Sequence, residues 1–125
     1  MTDPLKLSAA ELGHAFEINQ SDPVEVVEAF FDSIQESKLK NRIYVTLTKA
    51  RAVSEAEDSR KRQRQNLRLG PLDGVPVSWK DLFDLAGYET NAGSNLLKGR
   101  VSKNDCAALK NTSMNGLVTL GKTHM

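Results

Sequence analysis

The chain has 125 residues, enough for one domain with a buried core. Its 17 Lys and Arg against 16 Asp and Glu give a net charge of +1, which excludes an overall field aimed at nucleic acid or an anionic membrane. A single cysteine, Cys106, excludes a disulfide framework and a cysteine-rich zinc site; two distant histidines, His14 and His124, make no metal-ligand spacing. The opening Met1-Thr2-Asp3-Pro4-Leu5-Lys6 has neither the basic start nor the apolar centre of a signal peptide. No apolar run approaches the ~20 residues that cross a bilayer. A soluble, cytoplasmic protein is expected, without membrane or nucleic-acid partner and without cofactor or metal.

In chain order, Ser8-Ala9-Ala10-Glu11 reads as a capping box that opens a short helix, with Leu12, Ala15 and Phe16 on one face. Asp22-Pro23-Val24-Glu25 repeats the device: Asp caps, Pro takes the first helical position and Glu reaches back. The following helix carries Val27, Phe30, Phe31 and Ile34 as an apolar stripe that must pack on something. Ile43 to Thr48 alternates, is rich in β-branched residues and predicts a strand. A charged helix is expected from about Lys49 to Gln65, with Glu57/Lys61 and Asp58/Arg62 as i,i+4 pairs. Gly70-Pro71 breaks the chain, and Val75 to Leu82 reads as a strand. Asp105 to Asn115 reads as a weaker helix stopped by Gly116, before a short buried strand, Leu117 to Leu120.

Helices first, then strands interleaved with helices, predict an α/β protein. Two or three strands make a small sheet for the apolar faces available. A last strand at Leu117–Leu120 is expected to leave an open edge without a covering helix, which reads as a fragment. Marginal stability and self-association of the isolated chain follow from that reading.

The densest signal is Gly70-Pro71-Leu72-Asp73-Gly74-Val75-Pro76-Val77-Ser78-Trp79-Lys80-Asp81-Leu82. Alternation places Val75, Val77 and Trp79 on one face, and Ser78, Lys80 and Leu82 on the other. By periodicity alone, a lysine at a strand end is a solvated charge.

The run Gly70 to Val77, followed by Lys80-Asp81-Leu82, resembles the amidase signature family of serine hydrolases. The similarity continues through Phe83 to Gly87, Ala92-Gly93-Ser94 and Gly116 to Thr123, and the N-terminal part is similar to the family's opening helices. The resemblance implies α/β architecture: N-terminal helices plus the first strands of the mixed sheet of an amidase signature domain, incomplete in this chain. It implies one domain's N-terminal part over 1–125, with 1–68 a mainly helical lead-in and 69–125 the start of the catalytic core.

The activity implied is hydrolysis of a small-molecule carboxylic amide by two serines and a lysine, and Lys80 is the one catalytic residue carried over. A serine hydroxyl attacks only after losing its proton. A lysine can accept that proton, through a bridging serine on a cis peptide, only when neutral, which calls for burial. Backbone N–H groups hold the oxyanion. Residues 1–125 contain no Gly-Gly-Ser-Ser-Gly-Gly segment, and neither Ser78 nor Ser94 takes its place. Asn91 stands where the family usually has Thr, and His124 where it commonly has Asn.

Two further readings remain beside the amidase. One is a non-catalytic remnant or partner-binding fragment, motivated by the missing nucleophile. The other is the glutaminase subunit of a tRNA-dependent amidotransferase, with partner subunits; a homo-oligomer is also open.

Gly116 to Thr123 formally satisfies the phosphate-loop pattern G-x-x-x-x-G-K-[ST], but its four intervening residues are themselves the apolar strand, so nucleotide binding is not expected. Arg60-Lys61-Arg62-Gln63-Arg64 reads as a solvated helix end, where cations meet the negative end of the macrodipole. Cys106, Trp79 and the Phe30/Phe31 pair are most simply packed residues.

Overall fold

A computed structural model describes residues 3–125, and the part of the signal-peptide reading that falls on Met1 and Thr2 lies outside the described residues. A 3-10 turn at Pro4–Lys6 precedes helices α1 (Ala9–Glu17), α2 (Pro23–Glu36) and the short α3 (Lys40–Ile43). Strand β1 (Tyr44–Leu47) leads into α4 (Lys49–Arg64), then β2 (Pro76–Lys80). A 3-10 turn at Asn95–Leu97, helix α5 (Ala107–Met114) and β3 (Val118–Thr123) complete the chain. The mixed α/β architecture is the one expected.

The two N-terminal caps form as read. Ser8 Oγ accepts from the Glu11 amide at 3.1 Å, and Asp22 Oδ1 accepts from the Val24 amide at 2.8 Å, each satisfying a helix-start N–H. No return bond from Glu25 is present among the described residues; the Asp22 carboxylate is held instead by Arg60 Nε at 2.8 Å. Inside α1, Gly13 lets the Pro71 carbonyl approach the helix, where a Cβ would collide with that oxygen.

The sheet runs β1-β3-β2, with β3 antiparallel to β1 and parallel to β2. The last strand is therefore central, a correction to the expectation that it forms the open edge; the outer edges belong to β1 and β2. Burial follows topology: Val118 to Lys122 are all buried, whereas no residue of β2 is.

The main core lies where α2 and α4 cover β3. Val24, Val27 and Phe31 meet Ala52 and Ala56 over Val118 and Leu120. The alanines let α4 sit close to both neighbours, and their burial explains how a helix so rich in charge docks at all. Leu12 and Phe16 of α1 join Val26 and Val75 in a second cluster.

Three expectations are revised. Leu82 lies outside β2 and is exposed, because the Phe83 amide turns back to the Lys80 carbonyl at 3.2 Å. A register shift between Val77 and Ser78 interrupts the simple alternation. Within the Arg60-to-Arg64 cluster Lys61 and Arg64 are exposed as expected, but Arg60, Arg62 and Gln63 are structural. Arg62 grips Asp73 through two 2.7 Å bonds, instead of closing an i,i+4 pair with Asp58, because the fully buried Asp73 carboxylate requires a charged partner. Gln63 donates to the carbonyls of Phe16 and Ser21, at 2.9 and 2.8 Å, tying α4 to the end of α1.

Candidate active site

Lys80 is the last residue of β2 and lies opposite Thr123 of β3, one step beyond the Trp79–Lys122 pair. The Asp81 amide donates to the Thr123 carbonyl at 3.0 Å, carrying the ladder one residue further. Lys80 itself is exposed, and its Nζ donates to the His124 carbonyl at 3.2 Å. The burial that a neutral lysine base calls for is thus not supplied by the described residues.

The second lysine of this strand end has the opposite environment. Lys122 is completely buried. Its Nζ lies 2.6 Å from Thr90 Oγ1, 2.9 Å from the Glu89 carbonyl and 3.0 Å from Asp81 Oδ1. The first two are hydrogen bonds; Asp81 is held as an ion pair, its buried Oδ1 accepting no hydrogen bond among the described residues. Sequence reasoning passes over Lys122 as part of a rejected phosphate-loop match. The signal available is its position: a lysine two residues beyond a buried apolar run calls for an acid, though no local pattern marks Asp81 as that acid.

The phosphate-loop match fails geometrically as well. The Val118 amide is spent on the Val75 carbonyl at 3.0 Å, the Thr119 amide on Glu55 Oε1 at 3.1 Å, and the lysine on the two acceptors and the carboxylate above. Ser78 meets Tyr44 through a 2.7 Å hydroxyl contact that spans the sheet from β2 to β1. Gly121 lies between those strands, and a Cβ on it would collide with the Thr46 carbonyl oxygen, so β1 can approach only because this residue is glycine. Ser94 accepts from the Leu96 amide at 3.2 Å and caps the 3-10 turn. Ser78 is thereby engaged across the sheet and Ser94 in its own turn.

A model of the amidase family matches residues 25–125. The chain belongs to the amidase signature family. It is 37% identical over 121 residues to a mitochondrial glutamyl-tRNA(Gln) amidotransferase subunit of Ornithorhynchus anatinus, covering 97% of this chain and 23% of that protein. It is 37% identical over 125 residues to the corresponding glutamyl-tRNA(Gln) amidotransferase subunit of Thermobifida fusca, covering 100% of this chain and 25% of that protein. Among solved structures, the peptide amidase of Stenotrophomonas maltophilia superposes with a TM-score of 0.84 at 26% identity, covering 94% of this chain and 24% of the other. The chain thus spans about a quarter of the length of the relatives it matches.

In this chain a second polar network braces the segment between β2 and β3. Arg51 holds Asp105 through bonds of 2.8 and 2.9 Å, and Asp105 also accepts from the Ala86 amide at 2.8 Å. The Arg51 guanidinium holds the Asp105 carboxyl below its ordinary value. Burial pushes the neighbouring Glu55 carboxyl up, against the opposing pull of the Thr119 amide and Arg51. Because Asp105 is committed to Arg51 and Ala86, α5 begins later than expected, with Cys106 at its cap and no side-chain capping bond. Trp79 packs edge-on against Phe83 with ring centroids 5.2 Å apart, and its buried Nε1 meets no acceptor among the described residues.

Proposed function

We propose that this chain is the opening part of an enzyme that hydrolyses carboxylic amide C–N bonds, with Lys80 as its proton acceptor. The observation that carries the reading is the position of Lys80. It closes β2 within the Gly70–Leu82 run, with its side chain engaged only with one backbone carbonyl among the described residues. A nucleophilic serine and a bridging serine would come from a segment outside residues 1–125. The bridging hydroxyl would take the nucleophile's proton and pass its own to Lys80. Returned along the same relay to the leaving nitrogen, that proton would let the C–N bond break, releasing ammonia or an amine and leaving an acyl-serine that water then hydrolyses to the acid. Residues 69–125 would begin the catalytic core, and residues 1–68 would form its helical lead-in. A reducing interior such as the cytoplasm suits the lone Cys106.

The glutaminase-subunit reading has an observation of its own. Identity to the two amidotransferase subunits reaches 37% across essentially the whole chain, against 26% for the peptide amidase. On that reading glutamine is the amide, and the ammonia passes to a partner subunit.

The test is ammonia release by the protein that carries residues 1–125, with glutamine and simple carboxylic amides compared. Lys80→Ala should lower kcat by ~10³-fold or more with an unchanged melting temperature. Near-normal kcat in that variant would remove Lys80 from the mechanism. An absence of release from any amide would favour the non-catalytic remnant.

A further inference from the structure

We propose that Lys122 is a positioning residue for Lys80, acting through Asp81. The inference rests on the reading of Lys80 as the proton acceptor. Among the described residues Lys80 ends an edge strand, and edge-strand ends open readily because little apolar surface holds them. Beyond it the chain turns at once, with only Leu85 among residues 81–89 contributing a buried apolar side chain. The turn is secured by polar bonds instead. The Asp81 amide reaches the Thr123 carbonyl, and the Ala92 amide reaches the Asp81 carbonyl at 2.9 Å.

Lys122 gathers these pieces. One of its contacts is the side chain of the residue next to Lys80, and the other two are Glu89 and Thr90 on the returning segment. Both segments are thus fastened to the central strand by a single ammonium. The geometry has a second consequence. Successive residues of a strand face opposite sides, so the pin at Lys122 can be buried while Lys80 stays on the accessible side. A buried ion pair adds little net stability compared with apolar packing, but it admits few alternative arrangements, which suits a group whose task is to fix a position.

The test uses the protein that carries residues 1–125, with Lys122→Met, and with Lys122→Met and Asp81→Leu together, so that no buried carboxylate is stranded in the second variant. Amide hydrogen exchange is read at Asp81 and Ala92, with Val118 of β3 and Thr48, whose amide bonds the Leu120 carbonyl, as controls. The Lys80 ε-methylene protons are read by NMR, because a side chain held on the His124 carbonyl gives two distinct shifts and a freely rotating one gives an average. In either folded variant, exchange at Asp81 and Ala92 should rise at least tenfold over the controls, and the two ε-proton shifts should merge. Parent-like exchange and parent-like Lys80 shifts in a folded variant would overturn the proposal. Failure of both variants to fold would also overturn it, since Lys122 would then carry global stability rather than the end of β2. The outcome is separable from the catalytic reading: a fully active Lys80→Ala enzyme removes the base, whereas unchanged exchange removes only the pin.

Discussion

Where α2 and α4 cover β3, side chains such as Val27, Phe31, Ala52, Ala56 and Val118 are buried against one another. Around Lys80, the segment from Asp81 to Asp105 buries Leu85 and otherwise relies on Asp81–Lys122, Arg100–Asp84 and Arg51–Asp105. The first region is held by area removed from water, which tolerates small shifts of its parts. The second is held by directional bonds between residues far apart in sequence, which fix positions at little net gain in stability. A scaffold and a site therefore meet along β3, which contributes Val118 and Leu120 to one and Lys122 to the other.

The difference can be broken from either side. The largest expected stability effect is in the scaffold: Phe31→Ala should lower unfolding stability by about 3–5 kcal/mol, read by urea denaturation. A loss under about 1 kcal/mol would mean that the α2–α4–β3 core is not what holds the fold. A smaller effect is expected from pH. Asp105 lies below its ordinary value in the folded chain, so its contribution is present above about pH 4 and disappears as pH falls through that folded value. Glu55 works in the opposite sense, its contribution being lost as pH rises through its raised folded value. Between pH 7 and pH 3 the parent should therefore lose about 4 °C more in melting temperature than Asp105→Asn, the change that ~1 kcal/mol makes in a chain of this size. Identical pH profiles would show that Arg51–Asp105 does not brace the segment.

The scaffold is more legible in the sequence than the site, and the reason is physical. Ser8, Asp22 and the Val27/Phe31 spacing act within one or two helical turns, so their pattern is local and readable. The brevity of α3 and the two 3-10 turns leaves too few residues for a period to show. The central place of β3 depends on pairing with strands roughly 40 to 80 residues away, and strand order is not written in any one segment. Asp73 illustrates the same limit. It stands within a motif, yet its burial draws Arg62 away from the helical neighbour that spacing alone assigns it. Lys80 is legible only through resemblance to a family, since alternation makes it an ordinary surface charge. Lys122 escapes sequence reasoning because its three partners lie more than 30 residues away in sequence.

The most direct measurement of this division is residue-resolved amide exchange of the parent chain under native conditions. Amides buried in the core, such as those of Ala52 and Ala56, should exchange only through global unfolding, with the same denaturant dependence as the equilibrium transition. The amides of Gly87 and Thr90 should exchange through a smaller opening, at least ~10-fold faster and with a weaker denaturant dependence. A single opening free energy and a single denaturant slope for both sets would contradict the account: scaffold and site would then be one cooperative unit, not two regions joined at β3.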